Sequence, residues 1–298
     1  MAELVYNIAF NQPFSNTLGS QLKKVIDFLV FLKSHPEANP IVINLSKIKF
    51  VHPLFILSIA SLTDHLKNKG FDISMRNTSF FDCASYLKNI HFPNGIKPDE
   101  LPDWENVLDN YKGKSYLPII NFSTSREVHH STIRERLLSK ISSLIKTNLK
   151  LDGNYEAAVS YLISEITDNT IEHSGKDRGW LMVQYYPSSG YLDICIIDTG
   201  KTILGAYREH GVLGAENDSQ ALDLALSGIS TKSPERGTGI RTSKAIALLG
   251  LQGDFTLFSG SALYFGNKIL TLPVYWSGTF VAMRIKKGVE NFSIYSYV

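Results

Sequence analysis

Between residues 92 and 118 the texture of this chain changes. The stretch FPNGIKPDELPDWE collects proline, glycine and acid, whereas the segments on either side are apolar and periodic. Proline and glycine at this density interrupt both helical and strand patterns. A chain of 298 residues divided in this way is expected to build two units, one over residues 1–110 and one over 111–298.

The first unit reads as alternating strands and helices, an α/β pattern. Residues 6–10 form a short apolar strand candidate. Ser15 is placed to cap a helix to residue 33, with Leu18, Leu22, Val25, Ile26, Leu29 and Leu32 at helical spacing. IVINL, residues 41–45, is β-branched and reads as a buried strand. Pro53 suits the first turn of a helix over 54–69, which Gly70 would end. Residues 71–75 read as a strand and 79–89 as a helix.

The charge balance limits the function classes. Lys and Arg total 30 against 28 Asp and Glu, a net charge of +2, which argues against nucleic acid as an obligate partner. Cys83 and Cys195 are far apart and give neither a disulfide framework nor zinc spacing, so a reduced, cytoplasmic setting is expected. No apolar run approaches a membrane span, and MAELVYNIAFNQPF does not read as a signal peptide.

The second unit carries the chemistry. Helices are expected over 132–147 and 155–173, strands over 181–186 and 191–197 joined by a hairpin at Pro187-Ser-Ser-Gly190, a helix over 242–249, and strands over 254–259 and 278–285. This is an α+β pattern, helices on a mixed, mostly antiparallel sheet. On the helix ISEITDNTIEHSG, Glu165, Asn169 and His173 recur every four residues and form one row beside an apolar stripe. Asp168 and Glu172 point further toward solvent. That row reads either as one wall of a groove or as a polar helix boundary. In CIIDTGKTI, Asp198 ends an apolar strand, where a carboxylate can accept a hydrogen bond from an exocyclic amine, and Gly200 lets backbone approach a flat ring. In STKSPERGTGIRTSK, Gly237-Thr238-Gly239 precedes a helix, with Lys232, Arg236 and Arg241 nearby, which is a phosphate cradle or a plain turn.

The order and spacing of these three segments, over residues 134–286, resemble the GHKL ATP-binding superfamily of gyrase, the heat-shock chaperone, histidine kinases and mismatch-repair ATPases. The resemblance implies a Bergerat-type α/β sandwich that binds ATP and Mg²⁺. It makes Asn169 the Mg²⁺ ligand, Asp198 the adenine reader helped by Gly200, residues 202–236 the lid and Gly237, Thr238 and Gly239 the phosphate turn. Thr279, in SGTF, would lie by the adenine pocket, and His173, Lys232 and Arg236 would border the nucleotide. Glu165 sits where gyrase-type ATPases and anti-sigma-factor serine kinases carry a general base. STKSPERGTGI and EHSG are most similar to the anti-sigma kinases. The implied activity is ATP hydrolysis or serine phosphotransfer that controls a partner regulatory protein, STAS-like or sigma-factor-like. A non-catalytic ATP-dependent switch and a histidine-kinase-like protein are the alternatives. Thr202 replaces the second glycine of the family's D-x-G-x-G, which stiffens the expected lid hinge. SALYFGNKILT, residues 261–271, lengthens the last hairpin and is a candidate partner or homodimer surface.

IVINLSKIKFVHPLFILSIASLTDHLKNKGFDIS resembles a STAS domain, over residues 5–92. That family's antagonists carry a phosphorylatable serine in a D-S-x-G turn. Here the turn reads Val51-His52-Pro53-Leu54, so the resemblance implies a docking or regulatory domain without the usual acceptor, and His52 reads as a surface or capping residue.

Overall fold

In this computed structural model, residues 3–10, 18–175, 178–231 and 238–298 are described. The first part has β1 (Leu4–Phe10), α1 (Gly19–Ser34), β2 (Ile41–Ile48), α2 (Pro53–Asn68), β3 (Ile73–Arg76) and α3 (Phe81–Asn89). β1, β2 and β3 form a parallel sheet in sequence order. The proposed cap at Ser15 lies outside the described residues. Pro53 opens α2, and Gly70 follows its C-cap at φ 90°, a left-handed conformation glycine adopts without strain.

The second part begins with α4 (Trp104–Asp109), β4 (Tyr116–Ser123), α5 (Val128–Leu149), α6 (Gly153–His173), β5 (Arg178–Tyr186) and β6 (Tyr191–Asp198). It continues with α7 (Ile203–Glu209), α8 (Asp218–Ser227), α9 (Gly239–Ala245), a π-helical turn (Ile246–Gly250), β7 (Asp254–Phe265) and β8 (Lys268–Lys286). The sheet order is β4-β5-β6-β8-β7, and every strand pair in it is antiparallel. Its parallel pairing is confined to an isolated bridge between Ile96 and Ile120. The long β7–β8 hairpin contains residues 261–271. Among the described residues no helix is long and apolar enough to cross a membrane.

Residues 92–118 form an irregular connection that packs against the core of the second part. Ile96, Trp104, Leu108 and Leu117 are buried in the core under α5 and α6. The proline and glycine there make turns within a packed segment; Glu100, Asp103 and Glu105 stay at or near the surface, the Asp99 carboxylate turns in to pair with Arg178 of β5, and the few apolar residues anchor the segment.

The five-stranded sheet is buried on both faces. Leu181, Val183, Ile194, Ile196, Val281 and Met283 join the core under α5, α6 and α8. Their neighbours in sequence, Trp180, Met182, Cys195, Ile197, Phe280 and Ala282, point the other way and share a core with α1, α2 and β2. This is why the strands read as unbroken apolar runs. α2 is the helical counterpart. Pro53 through Thr63 are all buried, because the helix lies between the two sheets and has no solvent face there.

One polar cluster interrupts this middle layer. Arg284 donates from Nε and Nη2 to the two oxygens of Asp193 at 2.6 and 2.7 Å, and neither side chain reaches solvent. The Tyr186 ring faces the guanidinium at 5.6 Å, and Tyr186 and Gln21 of α1 both hydrogen-bond Asp193. His52 belongs to the same cluster. It is 2% exposed, its side chain makes no cap to α2, and its Nδ1 lies 3.3 Å from the Tyr186 hydroxyl. The surface-or-cap reading of His52 is therefore corrected: the turn packs inward onto β5.

Removing one partner of a buried ion pair strands the other, at a cost of about 3–5 kcal/mol, whereas replacing both with apolar groups is nearly neutral. Arg284→Met is expected to lower the urea midpoint sharply. Asp193→Leu combined with Arg284→Met should restore most of it.

Candidate functional site

α6 holds one wall of a cleft. Asp152 caps it by accepting from the Tyr155 amide at 2.9 Å, and Arg126 Nη2 donates to the Glu172 carbonyl at 2.6 Å near its other end. Ile163 and Ile166 face the core, so the row four residues apart comes to the cleft edge. Asn169 lines a cavity with Ile166, Thr170, Ile196, Lys201, Thr202, Ile203, Gly239 and Thr279. Among the described residues its Nδ2 is buried without a hydrogen-bond partner. An N–H donor at a cavity wall is open to a hydrogen-bond acceptor placed there.

Glu165 and Asn169 meet the start of α9. A Cβ on Gly239 would lie 2.0 Å from Glu165 Oε2 and 3.6 Å from Asn169 Nδ2, so any larger residue there would push the Glu165 carboxylate aside. Thr238 is the N-cap of α9, and its carbonyl accepts from Thr242 N at 2.8 Å. Lys232, Arg236 and Gly237 lie outside the described residues, as does the His173 side chain. Asp168 is half-buried and acts electrostatically on Arg134, and Glu172 is exposed.

Asp198 lies beneath the cavity floor rather than in its lining. It is 1% exposed. Oδ1 accepts from Gly200 N at 2.8 Å and Oδ2 from Thr279 N at 3.2 Å. Trp276 Nε1 donates to its carbonyl at 3.0 Å. Burial pushes the carboxyl up to about 7, against the opposing pull of the two amides. Each oxygen keeps a lone pair beyond the bond it already accepts.

Two glycines make this packing possible. A Cβ on Gly200 would sit 1.9 Å from the Ser174 carbonyl oxygen, which ties the Asp198 turn to the end of α6. Gly278 has φ 93°, and a Cβ there would lie 2.4 Å from Asp198 Oδ1 and 2.6 Å from Gly200 N. The SGTF segment was read for Thr279 alone. Gly278 carries the heavier constraint, and only its place beside a threonine in a strand hints at it.

The opposite wall is α7 with the segment after α8. Ile203, Ala206, Tyr207, Ala225 and Ile229 line it, and the Tyr207 hydroxyl donates to the Ile229 carbonyl. Sequence reading passed over these apolar residues because they carry no motif. Thr202, where a second glycine was looked for, has φ −72° and ψ 164°, and its side chain caps α7 by accepting from Gly205 N at 3.1 Å. That conformation is open to any residue, so the turn has no need of glycine.

Among the described residues no group of three or more His, Cys, Asp or Glu is arranged to hold a metal ion. The donor set facing the cleft is an amide and a carboxylate, which suits a hard cation that keeps water and phosphate oxygens as its other ligands. No protein-family model, curated protein or solved structure matches this chain.

Gly278→Ala is expected to destabilise the fold by about 2–4 kcal/mol, through positive φ and contact with Asp198 together. Thermal unfolding of the variant measures it, and Gly190→Ala, at a hairpin turn with open space around it, should cost less.

Proposed function

We propose that this chain is a nucleotide-dependent regulatory protein. It binds Mg·ATP in the α6–β6–α9 cleft as GHKL proteins do, with a STAS-like N-terminal part. The carrying observation is convergence. Asn169 and Gly239, far apart in sequence, line one cavity; Glu165 lies against Gly239, and Asp198 and Gly200 support the floor, where Asp198 accepts from the amide of Thr279, a lining residue. The unpartnered Asn169 Nδ2, an N–H donor, and the close approach of α9 to α6 at Gly239 support an anionic ligand at that end, where the amide oxygen of Asn169 would be the metal-binding atom. The buried Asp198 carboxylate supports an exocyclic amine at the other.

In this reading Asn169 would hold Mg²⁺, which when bound neutralises phosphate charge. Asp198 would accept from the adenine amine, and Ile196, Ile203, Val281 and Thr279, which line the cavity, would be the surfaces open to the ring. Glu165, beside Asn169, is the group that takes a proton from water or from a serine hydroxyl. The reading closest to the sequence is the anti-sigma-factor kinase type acting on a partner regulatory protein. The burial of His52 against Tyr186 favours a fixed layer over a phosphoacceptor for the N-terminal part.

A non-catalytic switch is the second reading. It is favoured by the anchoring of α7, whose first amide, Ile203 N, donates to Ser259 Oγ at 2.9 Å. Glu165→Ala separates the two. It should abolish phosphate release or phosphotransfer while leaving nucleotide affinity within a few-fold. Unchanged partner control in that variant would favour the switch.

Calorimetry with Mg·ATP tests the common premise. Asp198→Asn and Asn169→Ala should each weaken binding by about tenfold or more, since each removes a charge-assisted or metal contact. No heat from wild type at millimolar nucleotide would sink the proposal.

The pH dependence has a definite sign. The accepting form of Asp198 is the carboxylate, and its pKa is raised to about 7. Affinity should therefore be full above pH 7 and fall as pH drops, by about tenfold between pH 8 and pH 6. Asp198→Asn should flatten that profile.

A further inference from the structure

We infer that Lys201 is the cation that grips the nucleotide's phosphates, and that Glu209 holds it in reserve until they arrive. The inference rests on the nucleotide reading and adds to it a residue and a competition that the motifs do not contain.

Among the described residues lining the cavity, Lys201 alone carries a full charge at neutral pH. Its place is built rather than incidental. Its backbone N donates to the Ser174 carbonyl at 2.6 Å, beside the close approach of Gly200 to the same oxygen. Its side chain then passes Gly175, which has φ 59°. A Cβ on Gly175 would come within 2.9 Å of Lys201 Cε and 3.3 Å of Nζ. The left-handed φ is what favours glycine at 175, and the lysine side chain runs past it along the end of α6.

The ammonium ends on Glu209, at 2.8 and 2.7 Å from its two oxygens. Glu209 is the last residue of α7, the helix whose Ile203, Ala206 and Tyr207 form the far wall. One ion pair thus joins the floor turn to the end of that wall. The lysine and glutamate side chains are 44% and 52% exposed, and Lys201 holds the Glu209 carboxyl below the usual carboxylate range.

Exposure decides the outcome of the competition. A pair this open to water changes an equilibrium by at most about fivefold. A charge-assisted bond from an ammonium to a phosphate oxygen in a narrower cleft is worth about tenfold or more. Phosphate therefore displaces Glu209, and the carboxylate freed at the end of α7 reports an occupied cleft at the protein surface.

The test is calorimetry of the full chain with Mg·ATP for wild type, Lys201→Met, Glu209→Gln and the double variant, with Lys201→Arg as the conservative control. Lys201→Met should weaken binding about tenfold, and Lys201→Arg should stay within about threefold. Glu209→Gln should tighten binding, by up to about fivefold, and that gain should vanish when Lys201 is already Met. A bridge that only supports the fold would make both single variants bind more weakly, and that result overturns the inference. So does wild-type affinity in Lys201→Met, which leaves the nucleotide reading standing. Absence of binding by wild type removes the reading itself, and the inference with it.

Discussion

Burial of the five-stranded sheet on both faces is the constraint from which the other features follow. A sheet covered on one side can alternate apolar and polar residues. This one cannot, because α1 and α2 press on one face and α5, α6 and α8 on the other. Each polar group on its inner strands must then be paired or assigned a ligand. The N-terminal part is accordingly a structural layer of the whole, and α2, apolar around its circumference, is the element that joins the two sheets.

Strand β6 shows two solutions to that constraint within six residues. Asp193 and Asp198 are both almost fully buried, but they differ by an odd number of positions and so serve opposite faces. Asp193 faces the α1–α2 layer and is matched by a bidentate arginine, with Tyr186 and Gln21 completing its bonds. Asp198 shares the parity of Ile196, a cleft residue, and receives only two backbone amides. Burial raises both carboxyls, against the pull of the guanidinium on Asp193 and of two neutral amides on Asp198, whose carboxyl rises to about 7. The first aspartate is structural. The second has acceptor capacity left over, in a place where a ligand can use it.

Much of this was legible in the chain, and the legible parts are local. A helix repeats every 3.6 residues, so Glu165 and Asn169 fall on one edge whatever surrounds them. An acid at the end of an apolar strand followed by Thr-Gly marks a turn, and Asp198 occupies one. The remainder depends on contacts between distant segments. Nothing near Gly200 announces Ser174, and nothing near Gly278 announces Asp198. His52 was misjudged for the same reason, since its burial comes from Tyr186, 134 residues later. The acids and prolines of residues 92–118 mark an interruption of regular structure, but composition cannot register that Trp104 and Leu108 would find a core.

The cleft's far wall is where local chemistry and packing have to be weighed together. As it stands the cavity measures about 60 Å³, room for a water or two rather than a purine, so a nucleotide requires the walls to part. The start of α7 is a poor place for that movement. Thr202 caps it, Ile203 N is held by Ser259 Oγ, and Ser259 in turn donates to the Gly278 carbonyl at 2.8 Å, beside Asp198. Moving this end would disturb the Asp198 floor. At the far end of α7, Arg208 Nη2 donates instead to a loop, at the Glu216 carbonyl, 3.0 Å away. That end is joined to the floor through the exposed Lys201–Glu209 pair, and Tyr207 hangs on the Ile229 carbonyl just past Gly228, a left-handed C-cap at φ 96°. Opening is therefore cheapest as a tilt about the capped end of α7, with the weak ion pair and the segment after α8 yielding while the floor stays fixed.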